Sequence, residues 1–133
     1  MAMGESRFPV WPTVVVAIGG VALHTVEIAR GSDGPVDLIS ILFFIYGLLP
    51  YGVALVVVQA GETFAFPAFV GSFGGLALDL FFYYDVFLHP ASSTAALVML
   101  FAPLVCIAFG VVPGMLLGYL AERLYRRLGQ DRR

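Results

Sequence analysis

Residues 38–60 read Leu-Ile-Ser-Ile-Leu-Phe-Phe-Ile-Tyr-Gly-Leu-Leu-Pro-Tyr-Gly-Val-Ala-Leu-Val-Val-Val-Gln-Ala, twenty-three positions without a formal charge. A bilayer-crossing helix needs roughly 20 predominantly apolar residues. A strand of this length would be far too long, so the stretch reads as a membrane-spanning helix. Working outward, three further segments of the same kind appear, and the predicted spans are 8–29, 38–60, 64–88 and 93–120. The last continues as a basic helical extension over 121–133. The fold expected is all-α: an integral membrane four-helix bundle forming a single domain.

Composition supports this reading. Of 133 residues, 60% are hydrophobic and 12% charged. A soluble domain carries about 25% charged residues. Four spans consume nearly all the apolar material and leave no room for a catalytic domain outside the membrane. A soluble globular domain, a disordered chain and a nucleic-acid-binding module are excluded.

The charge is unevenly placed. Residues 122–133 hold five arginines against two acids, a net +3, while the rest holds Arg7 and Arg30 against seven acids, a net −5. Basic residues beside a span stay cytoplasmic, so the C-terminus is expected inside. Four spans then place the N-terminus inside too. Residues 30–37 and 89–92 become outer loops, and the turn near Gly61 an inner one. Trp11 and Tyr119 fall at the inner interface and Tyr84 at the outer, where an aromatic belt belongs. The N-terminal stretch makes a poor signal peptide, so the first span is expected to be retained. Cys106, the lone cysteine, reads as an inert residue in an apolar run.

Local signals refine the boundaries. Gly31, Gly34 and Pro35 stop the first helix. Asp37 is placed to cap the second. Pro50 should kink that span, since it clashes with the carbonyl four residues back, at Tyr46. The third span starts near Thr63 or Pro67 and ends at His89, before Pro90. Ser92 or Ser93 caps the fourth, which Pro103 and Pro113 should bend. Leu120, Leu124 and Leu128 recur at helical spacing, and Glu122 can pair with Arg126.

Small residues four apart allow helices to approach closely in lipid. Gly110, Gly114 and Gly118 form such a stripe on the fourth span, and Gly71 and Gly75 a shorter one on the third. They read as contact faces inside the bundle. The competing reading turns the fourth-span stripe towards a second copy or another membrane protein.

Ionisable groups inside a membrane are costly and mark sites that matter. Asp79 shares its helix face with Gly71, Gly75 and Tyr83. The first span carries a matching stripe of Ala17, Gly20, His24 and Glu27. Counted from the span ends, His24 and Asp79 lie at similar depth, so they are expected to face each other. The intramembrane cluster is therefore His24, Glu27, Asp79 and Tyr83, with Arg30, Asp85 and His89 as an outer rim. Tyr46 or Tyr51 can donate to Asp79. His24, Glu27 and Asp79 have the ligand types of a metal site, and His24 with His89 could hold a haem. No catalytic set is complete. Gly71-Ser72-Phe73-Gly74 is rejected as a nucleophile setting, and Glu62 and Asp85 read as interface charges.

The stretch His89-Pro90-Ala91-Ser92-Ser93-Thr94-Ala95-Ala96-Leu97, followed by Leu100-Phe101-Ala102-Pro103-Leu104, resembles a segment of small uncharacterised bacterial four-helix inner-membrane proteins. The resemblance covers about sixteen of 133 residues and implies the location, not an activity. Small multidrug transporters share the size and span number, but their membrane glutamate lies well inside the first helix. Glu27 lies near the outer end.

Three functions are open on these residues. The first is a non-enzymatic accessory or scaffolding subunit of a bacterial inner-membrane complex, partnered by the bilayer and by other membrane proteins or its own copies. The second is a small proton- or cation-coupled transporter or channel using Asp79 and His24. The third is a metal- or cofactor-binding membrane enzyme subunit, its cofactor undetermined.

Overall fold

A computed structural model describes residues 8–31, 34–89 and 95–130. The described residues are helical, with no strand among them. Helix α1 spans Trp11–Gly31, α2 Leu38–Gly47, α3 Leu49–Gln59, α4 Ala65–Tyr83, α5 Ala95–Val105 and α6 Val112–Gln130. A 3₁₀ turn, Glu62–Phe64, leads into α4, and a π turn, Tyr84–Leu88, ends it. A second π turn, Cys106–Val111, joins α5 to α6. Three helical stretches are long and apolar enough to cross a membrane, or four if the bent pair α2–α3 is one span. The predicted stop at Pro90, the cap at Ser92 or Ser93, and the arginines beyond Gln130 lie outside the described residues.

Asp37 caps α2: its Oδ1 accepts from the Ser40 amide at 2.8 Å and the Ser40 hydroxyl at 2.7 Å. The break in the second span falls at Leu48, two residues before the expected kink at Pro50, and α2 and α3 meet at 44°. Pro50 occupies the first turn of α3. There its missing N–H is an orphan in any case, so the helix breaks ahead of the proline rather than at it. The fourth span also departs from expectation. Pro103 lies inside α5 and Pro113 opens α6, yet Leu97–Gly129 counts as one apolar stretch of 33 residues. The π turn lies between the prolines, and the Val112 N–H reaches back five residues to the Ile107 carbonyl. A π turn re-registers the ladder next to residues that cannot complete it.

The interior is built of small residues. Ala54, Ala65, Ala68, Ala102 and Cys106 are buried, while Phe109, Leu38 and Trp11 face outwards. A water-soluble core has the reverse arrangement. In lipid, association depends on close packing rather than on hiding apolar side chains.

Helix α4 is central and lies against α1, α3 and α6. Its tightest approach is to the last helix. A Cβ built on Gly110 would lie 2.8 Å from the Gly74 carbonyl oxygen, one on Gly114 2.8 Å from the Gly71 Cα, and one on Gly118 2.8 Å from the Pro67 Cα. On the opposite side, a Cβ on Gly71 would lie 2.6 Å from Met115 and one on Gly75 2.9 Å from Val111. The fourth-span stripe thus faces this chain's own α4. Gly74, outside the predicted stripes, meets Gly110 directly.

Candidate functional site

The predicted stripe of α1 faces inwards: Ala17, Gly20, His24 and Glu27 are all buried. From α4, Gly71, Gly75 and Asp79 are buried on the facing side. The two stripes bring His24, Glu27 and Asp79 together. His24 is 6% exposed and Asp79 4%.

His24 lies between the two carboxylates. Its Nδ1 lies 2.5 Å from Glu27 Oε2, three residues along α1. Its Nε2 lies 3.0 Å from Asp79 Oδ2. That second contact is close in distance but poorly aligned, and Nε2 has no hydrogen-bond partner among the described residues. Asp79 Oδ2 accepts a hydrogen bond from the Tyr51 hydroxyl at 2.7 Å. Of the two tyrosines considered as donors, Tyr51 therefore serves Asp79, whereas Tyr46 lines the adjoining cavity.

Two glycines make room for these rings. A Cβ on Gly47 would lie 2.7 Å from His24 Cε1, and one on Gly20 2.3 Å from Tyr51 Cε2. Gly47 is the last residue of α2, immediately before the break. Neither glycine stood out for this purpose in the sequence, because the demand comes from a ring on another helix.

A cavity of about 190 Å³ adjoins the cluster. Its walls come from α1 (His24, Glu27), α2 (Tyr46, Gly47) and α4 (Asp79), with Pro103 of α5 also lining it. His24, Glu27 and Asp79 each offer a ligand atom within 4.8 Å of the others. Two carboxylates and an imidazole in this arrangement can bind a cation.

The remaining predicted residues lie apart from this centre. Tyr83 is half-buried, and its ring packs against Phe87 at 5.2 Å. Arg30 and Asp85 are exposed. His89 is exposed and stacks on Tyr84 with centroids 4.5 Å apart, away from His24, so the structure does not pair the two histidines as haem ligands. Ser72 is buried and its hydroxyl donates to the Phe69 carbonyl, which gives it a packing partner rather than a catalytic one.

Comparison with protein-family models, with curated proteins and with solved structures finds no match to this chain.

Proposed function

We propose that this chain is a small integral membrane protein of the bacterial inner membrane, with both termini cytoplasmic. In this reading it binds a cation at the His24–Glu27–Asp79 centre and acts as a cation-coupled transporter or channel. The observation that carries the reading is the burial of three ionisable side chains, drawn from two helices, at one point. Each such group is expensive to keep away from water. A pair would suffice to fix helix rotation, whereas two acids around one imidazole offer three ligand atoms to a cation.

The broken second span adds support. The C-terminal end of α2 and the residues just before its break line the cavity beside Asp79. The C-terminal end of a helix carries partial negative charge, and interrupted membrane helices supply cation sites in transporters. The accessory-subunit reading, by contrast, loses one of its supports, because the glycine stripe that could have docked a partner is occupied within the chain.

Reconstitution into liposomes tests the proposal. Cation flux, followed with pH- and cation-sensitive dyes, is expected above the protein-free background. Asp79→Asn keeps the shape and removes the charge, and should return flux to background. Equal flux in the two proteins would overturn the reading. The topology is tested separately: protease should trim the arginine-rich tail in inside-out vesicles and spare it in right-side-out ones.

A further inference from the structure

We propose that the cation held at this centre is a divalent transition-metal ion of the zinc type, ligated by His24, Glu27 and Asp79. This deepens the cation-binding reading above and rests on it. Zinc bonds to imidazole nitrogen and carboxylate oxygen are roughly 2.0–2.2 Å long. Ligand atoms across one ion therefore lie up to about 4 Å apart. In this structure the three candidate atoms lie within 4.8 Å of one another. Side-chain rotation alone closes that gap, exchanging imidazole–carboxylate contacts for metal–ligand bonds.

Four observations point to a metal rather than to a clasp between helices. The first is Nε2 of His24, a residue only 6% exposed: it makes no aligned hydrogen bond to any described residue, and only the Asp79 carboxylate, 3.0 Å away, faces it. A buried polar atom without a well-aligned bond is costly, and a metal ion satisfies it. The second is charge. In the deprotonated form that ligates a metal, an imidazole with two carboxylates carries −2, which a divalent ion cancels and a monovalent one leaves half uncompensated in an apolar surrounding. The third is donor type. Imidazole suits zinc and its neighbours, whereas magnesium and calcium take oxygen ligands. The fourth is the surrounding shell: the Tyr51 hydroxyl holds Asp79 Oδ2 at 2.7 Å, the kind of outer bond that orients a ligating carboxylate.

Three protein ligands beside a cavity of about 190 Å³ leave a coordination position for water or a substrate. Structural zinc sites are closed by four protein ligands; three plus an open position is the arrangement of a working site. Glu27 and His24 come from one turn of α1, and Asp79 crosses from α4, so the ion ties two helices together as it binds.

The test uses the full chain in detergent, stripped with a chelator and titrated with zinc chloride by calorimetry. Cobalt chloride serves as a second probe, read by its visible ligand-field bands. One ion per chain is expected, with magnesium and calcium failing to compete. Glu27→Gln and Asp79→Asn should each weaken binding roughly tenfold or more, and Tyr51→Phe, which keeps every ligand, about tenfold. Circular dichroism and gel filtration of the same samples keep loss of fold apart from loss of a ligand. No saturable zinc binding, or zinc binding as strong as the wild type's in Glu27→Gln and Asp79→Asn, would overturn the assignment. Liposomes separate this from the reading beneath it. Flux that needs Asp79 but ignores zinc overturns the metal and leaves cation coupling standing. Zinc bound one per chain without flux of any cation overturns the coupling and leaves the site.

Discussion

Helix α4 meets its neighbours in two different ways along its length. From Pro67 to Gly75 it lies backbone to backbone on α6 and the π turn before it, where glycine faces glycine. One turn further on, at Asp79, the helices part around a cavity, and glycines on α1 and α2 give way to the rings of Tyr51 and His24. Glycine is spent on close approach in the first region and on housing polar rings in the second. In a protein that gains little from hiding apolar side chains, contact must come from shape. The glycine seam supplies that contact. It also holds α4 in place, so that Asp79 has a defined position on which a costly polar centre can depend.

The largest effect should come from breaking the seam. A leucine at Gly110 would have to displace the backbone of Gly74 and Gly75. Overpacking an interior commonly costs about 1–3 kcal/mol, and here the obstacle is main chain rather than a side chain that can rotate. Gly110→Leu should therefore destabilise by about 3 kcal/mol or more, read as a lost or strongly lowered thermal transition in detergent. A wild-type transition in this variant would remove the seam from the account.

Gly47→Ala sharpens the other side of the comparison. Its methyl group would overlap the His24 ring, which is a side chain and can swing. The expected cost is smaller, about 1–2 kcal/mol. It should come with a changed environment of the His24 ring, seen by NMR of labelled imidazole, and with weakened zinc binding. An unmoved ring would mean that the ring does not depend on Gly47 for its space. Tyr51→Phe then removes one hydroxyl while keeping the packing. A buried carboxylate loses a donor, and about 1.5–3 kcal/mol is typical for a bond to a charged group. Unchanged thermal stability would show that water replaces the phenol fully.

Much of this centre was legible in the sequence. Ala17, Gly20, His24 and Glu27 fall at helical spacing, and counting from the span ends sets His24 level with Asp79. Periodicity carries that information because a helix repeats every 3.6 residues whatever its neighbours do. What was not legible depends on neighbours. Tyr46 and Tyr51 were equivalent donors until the break at Leu48 set the rotation of α3 relative to α2. Tyr83, four residues after Asp79, shares its face in a regular helix, yet its ring lies on Phe87 as α4 passes into the π turn. Gly74 lay outside the stripes because spacing within one helix does not say which glycine meets a given residue of another. The π turns had only neighbouring prolines as a signal, Pro90 after the first and Pro103 and Pro113 around the second.

The smallest effect is expected outside the bundle, and it isolates the role of the surroundings. The Ser40 hydroxyl reaches Asp37 at 2.7 Å, the same length as the Tyr51 bond to Asp79. One carboxylate is exposed at the start of α2; the other is buried between helices. The Ser40 amide and hydroxyl hold the Asp37 carboxyl below its ordinary value. A lowered folded-state pKa gives stabilisation that is present above the unfolded value, near ~3.9. It is lost as pH falls through the folded value. Asp37→Ala should thus lower the melting temperature slightly at neutral pH, and the gap to the wild type should close on acidification below about pH 4. It should also be smaller than the effect of Tyr51→Phe, because water competes for an exposed hydrogen bond and screens its charge, whereas a buried one acts in a medium of low dielectric constant. If the exposed and buried bonds proved equal in effect, the Asp79 centre would be as wet as the end of α2. Its ionisable groups would then be solvated and would need no cation.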